Sequence, residues 1–137
     1  MNVLVGLVGV VTDGYGHASH TLERARPRIA ELMGVKALHP GTLNVTLSHP
    51  YQMDNTIQLH PSEVNDVDLL VLQRCKIGGY RCALVRPYLN QPHVGWDSNP
   101  PTVLELMSEV CLRDALKLAT GDAVTVEVEG DDVWWIA

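Results

Sequence analysis

The sequence predicts a mainly β protein, a small closed barrel of six strands with two short helices. Short apolar segments, several of them alternating apolar with polar residues, recur along the chain, and Gly, Pro and Asp separate them. Only two segments have the composition of helices, and both are short. Six or seven short strands with so few helices favour a closed barrel over a parallel α/β sheet.

The first predicted elements are a strand, a turn and a helix. Val3 to Val11 is rich in Val and predicts a buried strand, which runs into a turn-forming segment at residues 12–17. Pro27 suits the first position of a short helix, and Gly34 suits the position just after its end. The apolar residues on one face of that helix are Ile29, Leu32 and Met33.

The middle of the chain predicts further strands. Thr42 to Leu47 alternates strictly, with its three apolar residues on one side. A short strand is possible near Ile57. Val67 to Leu72 and Tyr80 to Arg86 predict two strands joined through Gly78-Gly79, a pair of residues that suits a hairpin turn.

The last third begins with a proline-rich segment, Pro87 to Pro101, which predicts a long loop. Thr102 to Met107 predicts another strand, and Ser108 is a suitable cap for the short second helix after it. Ala123 to Glu129 alternates Val with polar residues and predicts a strand, and Val133 to Ile136 could add a last one.

Length and composition limit the class of protein. The 137 residues fit one domain spanning residues 1–137, and 46 % are apolar. The net charge of −6 and the scattered Lys and Arg argue against a nucleic-acid-binding face. The longest apolar run, Val3 to Val11, is too short to span a membrane, and no basic segment precedes it. The three cysteines form no CxxC pair, so we expect no disulfide framework and no structural zinc site, and a cytoplasmic location.

The first candidate site is Gly14-Tyr15-Gly16, directly after the first strand. Paired glycines let backbone N–H groups approach a phosphate without a Cβ in the way. A plain turn explains the same residues, and the spacing is not that of a P-loop. His17 adjoins this segment.

The second candidate site is formed by Thr42 and Asn44 in the segment Pro40-Gly41-Thr42-Leu43-Asn44. Since Leu43 and Val45 point one way, the hydroxyl and the amide point the other way together. Such neutral oxygen ligands could hold Mg²⁺, with water and phosphates completing its coordination. An exposed polar strand face also fits this spacing.

The third candidate site combines Glu105 with the segment Val110-Cys111-Leu112-Arg113. Glu105 faces away from Leu104 and Leu106, where its carboxylate could accept hydrogen bonds from a ligand or be solvated. Arg113 could pair with a phosphate or with a neighbouring Asp.

Together these motifs resemble the archaeal CTP-dependent riboflavin kinase family. That family has a Gly-x-Gly loop after a strand, a Pro-Gly-Thr-Leu-Asn strand, an acidic strand, Leu-Arg, and a Leu-x-x-Gly-Asp turn. The matching segments, in the same order, are Gly14-Tyr15-Gly16, Pro40-Gly41-Thr42-Leu43-Asn44, Leu104-Glu105-Leu106, Leu112-Arg113 and Leu118-Ala119-Thr120-Gly121-Asp122.

The resemblance implies a cradle-loop β-barrel that transfers the γ-phosphoryl group of CTP to the 5′-hydroxyl of riboflavin, giving FMN and CDP. It implies that Thr42 and Asn44 bind Mg²⁺. The flavin would contact Glu105 and Asn90, the position assigned to a threonine of the family. The nucleotide would contact Thr12, Asp13, Gly14, Tyr15, Gly16, His17, Val110, Cys111, Leu112 and Arg113. Glu105 and His17 are the candidates for accepting the hydroxyl proton.

The chain departs from the family in the glycine loop. The family reads Ser-Gly-Leu-Gly-Glu-Gly, whereas Asp13 to Ala18 reads Asp-Gly-Tyr-Gly-His-Ala. Three alternatives therefore stay open: a kinase for another alcohol, a non-catalytic flavin or nucleotide binder, and a DNA-binding barrel. The Thr42 and Asn44 pair favours the enzyme, the altered loop favours the binder, and the negative charge disfavours DNA.

Overall fold

The computed structural model describes residues 4–13, 19–53, 57–64, 69–87 and 102–129. All strand pairings among them are antiparallel. The elements are β1 (Leu4–Thr12), α1 (Ser19–Met33), β2 (Leu43–Leu47), β3 (Ile57–Leu59), α2 (Pro61–Val64), β4 (Leu70–Ile77), β5 (Tyr80–Pro87), β6 (Val103–Met107), α3 (Leu112–Ala115) and β7 (Ala123–Glu129).

Six strands close into a barrel in the order β4-β5-β6-β2-β1-β7, and β7 pairs back onto β4. The short strand β3 lies outside this ring. It pairs with the first half of β4, at residues 70–72, whereas β7 pairs with the second half, at residues 75–77. The predicted six-stranded closed barrel is confirmed, and its two predicted helices are present as α1 and α3.

The barrel interior is filled by alternate side chains from all six strands, because successive strand residues point to opposite faces. These interior side chains include Val11, Val45, Val71, Cys75, Leu84, Leu104, Leu106, Val126 and Val128. A second apolar cluster packs α1 against the outer faces of β3, β4 and β5, and it includes Leu22, Ala25, Ile29, Met33, Leu59, Leu72, Ala83 and Val85. Helix α1 therefore covers the outer side of the barrel at β4 and β5.

Helix α1 is longer than the sequence predicted. The prediction that it begins at Pro27 is wrong, since it begins at Ser19 and contains Pro27. A proline in a helix interior removes one backbone hydrogen bond. The buried stripe formed by Leu22, Ala25 and Ile29 offsets this loss. None of the helices in the described ranges is long and apolar enough to cross a bilayer.

The β4–β5 hairpin has the predicted Gly78-Gly79 turn. Both glycines have positive φ, at 56° and 85°, which the tightest hairpin turns require. The predicted end of the first strand at Leu72 is wrong, because β4 continues to Ile77 and pairs along its whole length with β5. The predicted strand at 133–136 lies outside the described residues, as does the predicted loop from residue 88 to residue 101.

The second predicted helix is present as the single turn α3, but Ser108 does not cap it. Cys111 occupies the cap position and makes no side-chain capping bond. The Ser108 hydroxyl instead donates to the Arg81 carbonyl at 3.2 Å and accepts from the Val110 amide at 3.5 Å. Ser108 therefore fixes the segment between β6 and α3 against β5.

Candidate functional site

Three polar side chains form a row across the outer face of β1, β2 and β6. Thr12 pairs with Asn44 in the β1–β2 register, and Asn44 pairs with Glu105 in the β2–β6 register. All three alternate with interior residues, so they point away from the barrel core. Adjacent strands are about 4.8 Å apart, so the backbones of Thr12 and Glu105 are separated by about 10 Å. We call these three residues the polar row.

Asn44 and Glu105 are buried although they lie on the outer face. Asn44 is 4 % exposed and Glu105 is 8 % exposed. An exposed polar strand face and a solvated carboxylate were both compatible with the sequence, and the structure excludes both. Buried polar groups are retained where they have polar partners. Asn44 and Glu105 are therefore part of the packed structure and not of a solvated surface.

The two residues expected to bind a metal lie together at the start of β2. The Thr42 hydroxyl donates a hydrogen bond to the Asn44 amide oxygen Oδ1, with 3.1 Å between the oxygens. Gly41 precedes them with φ of 87°, a conformation that favours glycine and turns the chain into the strand. Adjacent ligands of an octahedral Mg²⁺ lie about 3 Å apart, since each lies about 2.1 Å from the ion.

The spacing of these two oxygens therefore matches one edge of a magnesium coordination shell. A metal ion held by both oxygens would require the Thr42 hydroxyl proton to turn away from Oδ1. Two neutral ligands leave most of the shell to water and phosphate oxygens, as is usual for Mg²⁺. Across the described part of the chain, no group of three His, Cys, Asp or Glu residues could hold a metal ion.

A cavity of about 220 Å³ joins two of the predicted site segments. The backbone amide of His39 donates to the Ser108 carbonyl at 2.8 Å, which holds the segment before β2 against the segment after β6. The cavity is lined by His39, Pro40, Gly41, Thr42, Leu43, Leu106, Ser108, Val110, Cys111, Leu112 and Arg113. Thr42 and the predicted nucleotide segment 110–113 thus line one opening.

The Arg113 guanidinium connects α3 to the end of β1. Its Nη2 donates to the Thr12 carbonyl at 3.3 Å and to the Thr120 hydroxyl at 3.3 Å, and it lies 3.5 Å from the Asp13 carboxylate. The Thr120 hydroxyl donates to the same Asp13 oxygen at 3.0 Å. Arg113 thus pairs with a neighbouring Asp, one of the two partners expected from the sequence.

The backbone strengthens this connection. The Val11 amide donates to the Asp122 carbonyl at 2.8 Å, and the Gly121 amide donates to the Val11 carbonyl at 2.7 Å. The Asp122 carboxylate accepts from the Ala119 amide at 2.8 Å. The Leu-x-x-Gly-Asp turn is therefore fixed to the end of β1, directly before the glycine loop.

The structure brings together Thr12, Asp13, Thr42, Asn44 and Glu105, and it adds the segment Val110-Cys111-Leu112-Arg113 to the same side of the barrel. The predictions for Gly14, Tyr15, Gly16, His17 and Asn90 lie outside the described residues.

Three polar residues in or beside this site were not predicted from the sequence: Thr46, Thr120 and Arg86. Thr46 is on the same face as Asn44, and its hydroxyl lies 2.9 Å from that of Thr12. Strand alternation could have identified it. Thr120 lies in the Leu-x-x-Gly-Asp turn, where the sequence predicts no contact for its hydroxyl. Arg86, which points into the barrel, had no sequence signal, since a charged strand residue is normally expected to face solvent.

The sequence that forms this fold matches the model of a known protein family. A family model named for CTP-dependent riboflavin kinases, with the description "domain of unknown function DUF120", matches residues 11–128. The match covers most of the chain and includes every described residue of the polar row and of the cavity. The chain belongs to this CTP-dependent riboflavin kinase domain family.

Curated relatives carry the name riboflavin kinase. The protein of Thermococcus kodakarensis is 32 % identical over 133 residues, covering 89 % of this chain and 58 % of the relative. That of Pyrococcus abyssi is 31 % identical with the same coverage. That of Ignicoccus hospitalis is 30 % identical over 147 residues, covering 90 % of this chain and 71 % of the relative. The chain thus spans about six tenths of the first two relatives.

Proposed function

We propose that this chain transfers the γ-phosphoryl group of CTP to the 5′-hydroxyl of riboflavin, giving FMN and CDP in a reaction that depends on Mg²⁺. Membership of the family and the name of its relatives support the reaction class. Because the chain spans only part of those relatives, CTP and riboflavin are proposed as its substrates on the family resemblance. The observation that carries the proposal is the polar row with the Thr42–Asn44 oxygen pair at its centre.

The row supports an order of ligands along the barrel surface. Thr12, at one end, adjoins the glycine loop and Arg113, which we assign to the nucleotide. Asn44, in the middle, is assigned to the metal together with Thr42. Glu105, at the other end, is assigned to the flavin. In a phosphoryl transfer the γ-phosphorus lies between the attacking and leaving oxygens, so an acceptor site on one side of the metal ligands and a nucleotide site on the other suits this reaction.

The nucleotide would bind in the cavity between the start of β2 and α3. Arg113 would meet phosphate oxygens there, and the backbone of segment 110–113 would contact the nucleotide. Thr42 lines the cavity, so a phosphate chain bound in it would lie against one of the two assigned metal ligands. Asp13, Gly14, Tyr15, Gly16 and His17 are assigned to the nucleotide on the family resemblance.

Thr42 and Asn44 would hold Mg²⁺ through their two neutral oxygens. When bound, Mg²⁺ would neutralise the charge that develops on the transferred group and on the leaving diphosphate. The chain itself contributes the ligand spacing of 3.1 Å and a buried Asn44. A ligand held in one place costs little reorganisation during the reaction.

Riboflavin would lie beside Glu105, with Asn90 as a further contact. In the transfer, a bond forms between the 5′-oxygen and the γ-phosphorus, and the bond to the β-phosphate oxygen breaks. The hydroxyl proton leaves the acceptor, and Glu105 and His17 are the candidates to accept it. Most of the rate gain would come from positioning and electrostatic stabilisation rather than from covalent catalysis.

The proposal is tested by FMN formation. Purified protein, riboflavin, CTP and Mg²⁺ should yield FMN and CDP in equal amounts, and EDTA should stop the reaction. A protein that binds both ligands but forms no FMN would instead be the non-catalytic binder that the altered glycine loop favours. FMN formation with EDTA present would contradict the metal assignment alone.

A further inference from the structure

The hydroxyl of Thr46 is a polar group on the face of the polar row that has no role in the proposed reaction. Its oxygen lies 2.9 Å from that of the Thr12 hydroxyl, and either group can be the donor. Thr46 lies two residues after Asn44 on β2, and Thr12 lies opposite Asn44 on β1. The two threonines are therefore diagonal neighbours on one face of the sheet, a position from which threonine side chains bond across strands. Thr46 is thus tied to one end of the polar row.

This pair of hydroxyls holds one proton more than its own bond consumes. Each hydroxyl carries one proton and can also accept, so a bond between two hydroxyls leaves the second proton over. In the described part of the chain, neither the Thr12 nor the Thr46 hydroxyl has a further hydrogen-bond partner. Both residues are half-buried, so the remaining proton is accessible to an acceptor atom of a bound ligand.

The cation beside Thr12 indicates the chemistry of that ligand. The Arg113 guanidinium donates to the Thr12 backbone carbonyl at 3.3 Å, a bond in which the Thr12 hydroxyl takes no part. Arg113 also lines the cavity that is assigned to the nucleotide. A hydroxyl donor and a guanidinium at the same residue suit a phosphate oxygen, which accepts charge-assisted hydrogen bonds. On the other side, the residue opposite Thr46 on β1 is the exposed Val10, whose side chain offers no competing acceptor.

We propose that Thr46 is a positioning residue for the nucleotide: its hydroxyl donates to the Thr12 hydroxyl, which directs its own proton to a phosphate oxygen of CTP. The bond from Thr46 fixes the rotation of the Thr12 side chain. A donor that is already ordered loses less conformational freedom when the ligand binds. The role rests on the proposed function, because it takes CTP as the ligand at this end of the row. Among the described residues, Thr46 has no hydrogen bond to Glu105 at the flavin end.

The test measures CTP and riboflavin affinity by isothermal titration calorimetry in wild type, Thr12→Val, Thr46→Val and the double variant. Valine keeps the branched shape of threonine and removes the hydroxyl. Thr12→Val should weaken CTP binding about tenfold, and Thr46→Val, which leaves the Thr12 donor present but free to rotate, about three- to fivefold. Riboflavin affinity should change less than about twofold. Because Thr46 acts through Thr12, the double variant should bind CTP as Thr12→Val does.

Two further variants separate this role from a loss of structure. Thr46→Ser restores the hydroxyl without the methyl group, so its CTP affinity should lie within about twofold of wild type. Thr125→Val removes an exposed hydroxyl from the outer face of β7 and should change neither affinity.

A loss in Thr46→Ser as large as that in Thr46→Val would overturn the positioning role, as would losses that multiply in the double variant. Wild-type CTP affinity in Thr46→Val would overturn this role alone. The absence of CTP binding by the wild-type protein would overturn the proposed function together with it.

Discussion

The hydroxyl of Thr42 and the amide oxygen of Asn44 lie 3.1 Å apart at the start of β2, joined by a hydrogen bond. Glu105 lies directly across from Asn44 on the neighbouring strand. The outer face of the barrel thus carries a pair of hard oxygen ligands with a buried carboxylate beside it.

The metal assignment predicts that Thr42→Val and Asn44→Ala each abolish Mg²⁺-dependent FMN formation. Thr42 is half-buried, so its variant should fold normally. Asn44 is 4 % exposed, and its removal should cost about 1–3 kcal/mol of unfolding free energy. Turnover is measured by FMN fluorescence after separation, and folding by thermal unfolding.

Thr125→Val is the control for these two variants, because Thr125 is exposed on β7, away from the polar row. It should leave turnover unchanged. Wild-type activity in both Thr42→Val and Asn44→Ala would show that the metal is held elsewhere.

Although Asp13 is assigned to the nucleotide site, its carboxylate has the same sign of charge as phosphate, so the two should compete for Arg113. The Asp13 side chain is 84 % exposed and that of Arg113 is 36 % exposed, so the pair is screened and weak, worth about 0–1 kcal/mol. Asp13→Asn should therefore tighten CTP binding by about two- to fivefold at low salt, and high salt should reduce the gain. Arg113→Met should weaken CTP binding, and isothermal titration calorimetry measures both effects.

The Thr120→Val variant separates competition from loss of structure. It removes the hydroxyl that donates to Asp13 at 3.0 Å but leaves both charges in place. Its CTP affinity should stay near wild type. If Asp13→Asn weakens CTP binding, then Asp13 assists the nucleotide, and the competition is refuted.

Cys111 should report nucleotide binding directly. Cys75 and Cys82 are fully buried, whereas Cys111 is half-buried and lines the cavity. A thiol reagent should therefore label one cysteine rapidly in the folded protein and all three after denaturation, since reactivity follows access. Saturating CTP should slow the rapid phase.

Cys111→Ser identifies that phase, because the rapid reaction should disappear in this variant. An unchanged labelling rate in the presence of saturating CTP would mean that the nucleotide does not enter the cavity between β2 and α3.

Much of the fold could be predicted because strands and turns have local sequence patterns. The alternation at Leu43–Leu47 and Ala123–Glu129 defined two strands, and the paired glycines at positions 78 and 79 defined the hairpin. Helix α1 was predicted too short because Pro27 suggests a helix start. The stripe of Leu22, Ala25 and Ile29, which packs on the sheet, outweighs that local preference.

The site was only partly predictable from the sequence. The spacing of Thr42 and Asn44 identified the oxygen pair, but the register that sets Glu105 opposite Asn44 depends on distant strands. Arg86 could not be anticipated, because its burial depends on carbonyls contributed by Tyr51 and Val103. The cavity requires the 39–43 and 106–113 segments to meet, and no local pattern specifies that contact.

The central claim is that this chain phosphorylates riboflavin with CTP, and one assay tests it most directly. Riboflavin and Mg²⁺ are incubated with CTP, UTP, ATP or GTP, each labelled at the γ-phosphate, and the label in FMN is counted. We predict transfer from CTP at a rate well above that from the other three nucleotides, and none with Thr42→Val. The absence of labelled FMN with CTP, from wild-type protein that binds CTP and riboflavin, would contradict the account.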